Sequence, residues 1–304
     1  MTAIPLCNSH HDEAKWLELR QNYVTASDVA TVMGLSPWAT PLQLYMQKLG
    51  LMPGPDESEA MYWGKKLEPL VVAELAERTG RQVVHAADLR ADMFTSEKYP
   101  WLACTIDGQQ WVSGVGPFVV EAKTAGPFAM GKWDDGIPEN YVIQAQVQML
   151  VMESSMNTVC GLMSGQRYTF DDLRPDLDMF TKIVEVTKDF HRRVELGRRQ
   201  LEGEDVEIDP PQATASDRPA LTVLYPVEDP GSVVMWGQDE IAIHDELVEA
   251  KEDRNKAKER IEELNTELIA LIGNNEKAIM PGMGAYTYKA NTNGTRILRY
   301  SEKG

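Results

Sequence analysis

The spacing of apolar residues changes at Gln82, where the three-to-four-residue period of helices gives way to the two-residue period of strands. Proline and glycine turns divide the region that follows into four predicted strands, at residues 82–89, 102–106, 109–112 and 118–123. Helix signals precede this region and return after it. A sheet built mainly from hairpins, with helices before and after it, predicts an α/β or α+β core.

The predicted helices have clear start and stop residues. Before the sheet, helices are predicted at residues 25–34, 40–50 and 58–79, because each begins at Thr or Ser and reaches Gly at its end. Pro69 lies inside the third and predicts a kink or break just after Glu68. After the sheet, helices are predicted at residues 128–133, 138–153 and 175–201, with short strands at 158–163 and 167–170.

The chain beyond residue 202 has a different character. Residues 203–237 are rich in Pro, Asp and Glu and are predicted to form an acidic connector. Heptad spacing then predicts one long helix, packed against its own core or a neighbouring subunit, and an Asn-Gly pair after Gly282 predicts a β-hairpin. The predicted domains are a core at 1–202, the connector at 203–237, and a C-terminal accessory region at 238–304.

Composition limits the classes to which this chain can belong. Its 304 residues are 43% hydrophobic and 25% charged, values typical of a globular protein. No apolar run approaches the roughly 20 residues of a membrane helix, and the N-terminus lacks the order of a secretory signal, so we expect a cytoplasmic protein. Three scattered cysteines predict reduced thiols.

The net charge and the histidines also limit the classes of function that this chain can have. A net charge of −17 argues against a general nucleic-acid coat, because phosphate binding uses clustered Lys and Arg. The same charge is compatible with a metal site built from carboxylates and a local basic path. The five histidines show no metal-binding spacing with cysteine, and the His10-His11 pair is expected to be solvated.

The segments TIDG at 105–108 and VVEAK at 119–123 hold the candidate catalytic residues. Alternate residues of a strand share a face, so Glu121 and Lys123 lie side by side, while the opposite face is apolar. Asp107 ends the neighbouring strand of a predicted hairpin, so its carboxylate can lie beside that of Glu121. Two adjacent carboxylates repel unless a cation lies between them, and Mg²⁺ prefers oxygen ligands. With Lys123 nearby, such a cation can polarise a phosphodiester and activate water.

Taken alone, this spacing favours a solvent-facing Glu–Lys pair beside an Asp-Gly turn. Six motifs in a fixed order change that balance: Trp16-x-x-x-Arg20, VTAS at 24–27, GKKLE at 64–68, IDG at 106–108, EAK at 121–123 and Tyr141-x-x-Gln144-x-Gln146. Together, over roughly residues 12–165, they resemble the lambda exonuclease (YqaJ-like) branch of the PD-(D/E)XK nucleases. Ile106 stands where the name of that fold has proline, and residues 35–41 lack the basic loop of the phage lambda enzyme.

The resemblance implies an α/β fold, a PD-(D/E)XK restriction-endonuclease-like core with a central mixed sheet flanked by helices, here extended by the C-terminal helix and hairpin. By resemblance, the metal ligands are Asp107, Glu121, the Ala122 carbonyl and Glu68, and the other catalytic residues are Lys123 and Gln144. Also by resemblance, the 5′-phosphate and DNA-binding residues are Arg20, Ser27, Tyr141 and Met61, the last as a wedge at the terminal base pair. Without the resemblance, Glu68 is a solvated glutamate, Ser27 a helix cap and Met61 a core residue.

The activity that the resemblance implies is a Mg²⁺-dependent 5′→3′ exonuclease, with Mn²⁺ as an alternative and two ions per site. It degrades one strand of linear double-stranded DNA and leaves 3′ overhangs for a phage-type single-strand annealing protein. The resemblance also implies a homo-oligomer, a ring of three around DNA, in a bacterial or phage-infected cell. Two alternatives stay open: a structure- or end-specific endonuclease on the same fold, and a non-catalytic DNA-end-binding or partner-docking protein.

Overall fold

The computed structural model describes residues 3–302, and they form two compact units, of which the first ends at Glu228 and the second begins at Asp229. The helices of the first unit are α1 (Glu13–Asn22), α2 (Ala26–Val32), α3 (Pro41–Lys48), α4 (Glu59–Thr79), α5 (Pro127–Met130), α6 (Glu139–Met152), α7 (Leu177–Leu201) and α8 (Arg218–Leu224). Its strands are β1 (Ala3–Cys7), β2 (Val24–Thr25), β3 (Gln82–His85), β4 (Met93–Ser96), β5 (Leu102–Thr105), β6 (Gly108–Val112), β7 (Val115–Ala125), β8 (Asn157–Met163) and β9 (Arg167–Leu173). Short 3₁₀ helices lie at Ala86–Asp88, Gly131–Trp133 and Ala215–Asp217.

The main sheet has five strands in the order β3-β6-β7-β8-β9. The β7–β8 pair is parallel and the other pairs are antiparallel, so the sheet is mixed as expected. In the β6–β7 hairpin, Gly108 pairs with Val120. The residue before Gly108 therefore stands opposite the residue after Val120, which places Asp107 opposite Glu121.

Strand β7 is buried on both faces. On one face, Val119 packs in the main core with Ile143 and Val147 of α6. On the other face, Val120 packs with Val72 of α4 in a second cluster. Each such buried aliphatic side chain contributes about 1.5–3 kcal/mol to folding. The helix-flanked mixed sheet confirms the predicted fold class, and it holds the catalytic candidates between two helices.

A second sheet, which the sequence did not predict, has the order β1-β4-β5-β2. It contains β5, the strand predicted at 102–106, which was therefore wrongly expected in the main sheet. Strand β1 pairs antiparallel with β4, which lies far away in the sequence, with Ala3 opposite Ser96. Strand β2 adds to β5 in parallel, with Val24 opposite Leu102. This sheet fixes the chain just before α2 and just before Asp107.

Helix α4 continues past Pro69 as one helix, so the break predicted after Glu68 does not form. Proline removes only one backbone donor from the helix ladder. The residues that follow, Val71, Val72 and Leu75, are buried against the main sheet. Their packing stabilises the second half of α4 as a continuation of the first.

Part of the segment expected to be a connector packs on the first unit. Ala220 of α8 is buried in the main core. Asp217 is buried and accepts hydrogen bonds from the Thr40 hydroxyl and from the Thr214 N–H. The boundary between the units at Glu228 therefore lies inside the predicted connector rather than at its start.

The second unit consists of one long helix, α9 (Gln238–Ile272), and three strands, β10 (Lys277–Met280), β11 (Gly284–Ala290) and β12 (Arg296–Glu302). The strands form an antiparallel sheet in the order β10-β11-β12. The predicted hairpin is present as β11–β12, and β10 extends it. Among the helices described between residues 3 and 302, none combines the length and apolarity needed to cross a bilayer.

Candidate active site

A cleft in the first unit brings together eight of the residues singled out from the sequence. Its lining includes Arg20, Ser27, Glu68, Asp107, Glu121, Ala122, Lys123 and Gln144. They come from α1, α2, α4 and α6 and from the β6–β7 hairpin and the residue before it. Residues more than a hundred positions apart in the sequence thus face one space.

Asp107 and Glu121 are held on adjacent backbone. The Asp107 N–H donates to the Val120 carbonyl over 3.1 Å, and the Ala122 N–H donates to Asp107 Oδ2 over 2.7 Å. Side chains opposite each other in an antiparallel pair have Cβ atoms about 4.5–5.5 Å apart. Burial, together with the negative charges of Glu121 and Glu68, raises the pKa of Asp107 well above its usual range. The carboxylates are therefore close enough to repel, which a bound cation relieves.

Glu121 is 1% exposed and accepts hydrogen bonds from three side chains. Lys123 Nζ and Gln144 Nε2 donate to Oε1, the amide over 2.6 Å, and Gln148 donates to Oε2. Gln148 is itself fixed, since its amide also donates to the Thr105 carbonyl over 2.9 Å. Gln148 was not among the predicted site residues, although its spacing from Gln144 places both on one face of α6.

Gln146, the third position of the tyrosine–glutamine motif, faces away from the cleft. Its amide Nε2 donates to the Arg174 carbonyl over 2.8 Å, and its Oε1 accepts from the Asp176 N–H over 2.9 Å. Gln146 therefore connects α6 to the start of α7 and has a structural role. The other two residues of the motif face the site: the Tyr141 ring contacts Lys123, and Gln144 donates to Glu121.

Lys123 carries a positive charge next to this group. Burial alone acts to lower its pKa, but the charges of Glu121 and Asp107 outweigh burial and raise the pKa above the usual value for lysine. The Nζ atom also lies 5.1 Å from the centre of the Tyr141 ring, a cation–π contact. At neutral pH the Lys123 amine is therefore protonated, and it can donate hydrogen bonds to an anionic oxygen or to a water molecule.

Glu68 is oriented by a histidine that the sequence did not single out. Its Oε1 lies 3.0 Å from His85 Nε2, while the Ala87 N–H donates to His85 Nδ1 over 3.1 Å. Because Nδ1 accepts, we assign the proton of the neutral ring to Nε2, which donates to Glu68. Strand β3 ends at His85, so the sheet itself positions this contact.

His10 lies beside the same carboxylate. Its Nε2 is 3.7 Å from Glu68 Oε1 and 3.9 Å from Asp92 Oδ2. His10 is exposed, as expected, but its imidazole lies close to these two carboxylates. Within the part of the chain that the structure describes, the ligand atoms of His10, Glu68 and His85 lie within 4.8 Å of one another, a spacing compatible with a metal. Metal binding at His85 Nε2 requires a proton on Nδ1, in conflict with the Ala87 donor. We therefore interpret His85 as the hydrogen-bond donor that supports Glu68, with His10 close by.

Arg20 and Ser27 form the other end of the cleft. Arg20 Nη2 donates to Ser27 Oγ over 3.1 Å, and the guanidinium lies 4.8 Å from the centre of the Trp16 ring. Trp16 is anchored in turn, because its Nε1 donates to Thr105 Oγ1 over 2.9 Å. The two predicted phosphate-binding residues are thus adjacent, and the guanidinium lies over an aromatic ring.

A buried ion pair supports this end. Lys48 Nζ lies 2.7 Å from Asp28 Oδ2 and donates to the Arg20 carbonyl over 2.6 Å, and both charged side chains are less than 10% exposed. Burial acts to raise the pKa of Asp28, but the charges of Lys48 and Arg20 and the hydrogen bonds from Lys48 and Thr25 outweigh it and lower the pKa. A carboxyl with a lowered pKa stabilises the fold at neutral pH and loses that contribution as the pH falls through it.

Lys48→Met is expected to destabilise the first unit by about 3–5 kcal/mol at pH 7, because it leaves the Asp28 carboxylate buried without its main partner. Urea unfolding measures this loss, which shrinks in acid as Asp28 takes up a proton. Lys182→Met is the matched control, since Lys182 is exposed and its pair with Glu185 contributes at most about 1 kcal/mol. Equal midpoints for the two variants would contradict the expected role of Lys48.

The remaining two predicted residues lie at the margins of the cleft. Met61, on the first turn of α4, is 45% exposed and lines a small adjoining cavity with Ala122 and Lys123. A core role for Met61 is therefore wrong, and its position leaves the wedge prediction open. Tyr141 contacts Lys123 through its ring, as described above, and its ring also lies 5.6 Å from that of Trp133.

Comparisons with known proteins point to one family. Residues 15–157 match the family described as YqaJ-like viral recombinase domain. The uncharacterized protein YqaJ of Bacillus subtilis (strain 168) is 26% identical over 194 residues, which cover 62% of this chain and 59% of YqaJ. The solved structure of an alkaline exonuclease, LHK-Exo from Laribacter hongkongensis, is 20% identical and covers 62% of this chain and 96% of its own, with a TM-score of 0.52. The structure of LHK-Exo in complex with dAMP gives the same TM-score at 21% identity.

The mixed sheet between α4 and α6, with Asp107 opposite Glu121 and Lys123 alongside, defines a PD-(D/E)XK-like core, and the likeness to LHK-Exo supports the same fold. The likeness of residues 15–157 to the YqaJ-like viral recombinase domain family agrees with the resemblance seen in the sequence motifs. The matched segment spans a little under two thirds of the length of the curated relative.

Proposed function

We propose that this chain is a metal-dependent deoxyribonuclease that degrades one strand of linear double-stranded DNA from its 5′ end and leaves a 3′ overhang. The observation that carries the proposal is the placement of Asp107 opposite Glu121, with Lys123 against Glu121, in a cleft that Arg20 and Ser27 also line. The family and the fold of its solved relatives support the same class of reaction.

Mg²⁺, or Mn²⁺ in its place, fits this set of oxygen donors. Burial, and then the negative charges of Glu121 and Glu68, raise the pKa of Asp107, and a divalent cation would offset both effects. In the proposal, Asp107, Glu121, the Ala122 carbonyl and Glu68 hold the metal, with two ions per site. When bound, the metal supplies charge that polarises a phosphate oxygen and lowers the pKa of water.

The other residues act through hydrogen bonds and charge. Lys123, protonated beside Glu121, donates to the attacking water or to a phosphate oxygen and holds it in line. Gln144 borders the scissile phosphate, and Gln148 keeps Glu121 fixed. At the other end, the forked donors of Arg20 and the Ser27 hydroxyl bind the 5′-terminal phosphate. A phosphate anchored there sets which bond reaches the catalytic residues, and so gives a 5′→3′ direction.

The proposal extends to the assembly and to a partner. A ring of three copies around DNA allows a chain of net charge −17 to retain its substrate by enclosure rather than by a broad basic surface. Progressive removal of one strand exposes single-stranded DNA with a 3′ end. A phage-type single-strand annealing protein is the partner that this product suits.

The test is incubation with Mg²⁺ of a linear duplex labelled at the 5′ end or the 3′ end of the same strand. We expect the 5′ label to be released first and the 3′ label last, with no cleavage when the metal is chelated. A 5′-hydroxyl end should be degraded at least tenfold more slowly, since a charge-assisted hydrogen bond contributes about 1.5–3 kcal/mol. Arg20→Gln should remove most of that difference.

Other outcomes assign the alternatives. Cleavage of covalently closed circular DNA would identify an endonuclease, because a circle offers no end to the Arg20 and Ser27 site. Binding to duplex ends without cleavage under any divalent metal would identify a DNA-end-binding protein. Release of the 3′ label first would contradict the proposed polarity.

A further inference from the structure

An exposed tryptophan stands next to the catalytic cleft. Trp38 lies in the loop between α2 and α3, and its side chain is 70% exposed. Its ring centre lies 6.3 Å from that of Tyr141, with 36° between the ring planes. Tyr141 lies 5.6 Å from Trp133 at 32°, and Trp133 is only 7% exposed. Three tilted rings therefore form a ladder that runs from the core to the surface.

The ladder meets the candidate catalytic residues at its middle ring. Tyr141 is the ring that lies under Lys123 Nζ, and it is one helical turn before Gln144 on α6. The loop that carries Trp38 has a local constraint, because the Trp38 N–H donates to Ser36 Oγ over 3.2 Å. A group stacked on Trp38 would therefore lie close to the bond that Lys123 acts on.

Folding alone does not account for Trp38. An indole contributes to stability mainly by removing its large apolar area from water, and at 70% exposure most of that gain is absent. The ring instead presents a flat apolar face beside a cleft whose lining has more carboxylates than Lys and Arg side chains. Stacking on aromatic rings is the sequence-tolerant way in which proteins bind nucleobases, worth about 1–3 kcal/mol per base.

We propose that Trp38 is a stacking platform for a nucleobase of the DNA substrate. Inside a duplex both faces of a base are covered by its neighbours, so the platform can take only a base at the DNA end or an unpaired base at the junction of duplex and single strand. Because removal of one strand continually creates such a junction, the proposed occupant is the unpaired base at the junction, whichever of the four bases it is. This proposal rests on the proposed function, and it adds a subsite that holds the DNA end in register with Lys123.

The test compares Trp38→Ala and Trp38→Phe in the full chain with Mg²⁺ present. Both variants also carry Lys123→Met, which suppresses cleavage of the DNA during the measurement. The probe is a fluorescein-labelled duplex with a short 3′ overhang, and its anisotropy gives the Kd. Trp38→Ala should weaken binding about 5- to 150-fold, the equivalent of 1–3 kcal/mol, whereas Trp38→Phe should keep most of the affinity. Trp236→Ala is the matched control, since Trp236 is also exposed but lies in the second unit.

A second DNA separates stacking from a structural effect. An abasic analogue at the junction nucleotide should weaken binding to the unsubstituted Trp38 protein as much as Trp38→Ala does, and should cause no further loss in Trp38→Ala. Equal weakening of intact and abasic DNA by Trp38→Ala, or no weakening, would overturn the proposal. Cleavage by the unaltered chain is measured in parallel, so that a failure of the nuclease function is distinguished from a failure of the stacking site.

Discussion

Lys123→Met is expected to lower the rate of DNA cleavage by about 10²–10⁴-fold, the range for loss of a positioned proton donor or charge in a transition state. Methionine keeps the length of the side chain but removes its charge and its hydrogen bond to Glu121. Since Lys123 contributes one charge among several groups of the cleft, DNA affinity should change only a few-fold. Single-turnover cleavage and anisotropy measure the two effects separately.

Lys182→Met again serves as the control for this change, because Lys182 is exposed on α7 and pairs with Glu185. It should cleave at the rate of the unaltered chain. If Lys123→Met also cleaves at that rate, the assignment of Lys123 to the reaction is wrong. If it loses DNA binding in proportion to cleavage, Lys123 acts in binding and not in the chemical step.

Asp107→Asn should abolish cleavage and at the same time make the metal-free protein more stable at pH 7–8. The pKa of Asp107 is raised in the folded protein, chiefly by burial and by Glu121. A raised carboxyl pKa favours folding below the usual Asp range, and that contribution is lost as the pH rises through the raised value. The asparagine amide carries no charge, and its oxygen can still accept from the Ala122 N–H.

Thermal unfolding of the first unit measures this effect. Each kcal/mol regained raises Tm by about 2–4 °C for a unit of this size, and the gain should vanish near pH 4. Mg²⁺ should raise Tm of the unaltered chain but not that of Asp107→Asn. Asp88→Asn, at an exposed position, makes the same chemical change and should alter neither property. A lower Tm for Asp107→Asn at pH 8, or a retained response to Mg²⁺, would contradict the placement of Asp107 at the cation site.

The sequence predicted the parts of the site that depend on local pattern. The two-residue period of β7 places Glu121 and Lys123 together, and the hairpin brings Asp107 opposite Glu121, as the register shows. The spacing on α6 also places Gln148, which was not a predicted site residue, on the same helical face as Gln144, and both contact Glu121. These relative positions are predictable because each depends on a single secondary-structure element or a single tight turn.

Contacts between segments that are distant in the sequence leave no such local pattern of residue spacing. Strand β1 is short, contains Pro5 and pairs with β4 far along the chain, so neither its period nor its length marks it as a strand. The contact of His85 with Glu68 also depends on how β3 packs beside α4. Of the kink or break predicted at Pro69, the break does not form for a related reason, since burial of the following residues against the sheet outweighs one lost backbone hydrogen bond.

The three donors that converge on Glu121 have a consequence for how the site would bind the proposed ion. A flexible surface carboxylate must give up rotational freedom when it becomes a ligand, which weakens binding by roughly 0.5–1.5 kcal/mol. Glu121 has already given up that freedom during folding, because Lys123, Gln144 and Gln148 fix both of its oxygens. In the proposed function, a divalent ion would therefore meet a rigid ligand, and selection among ions would depend on their radius and preferred coordination rather than on adaptation by the protein.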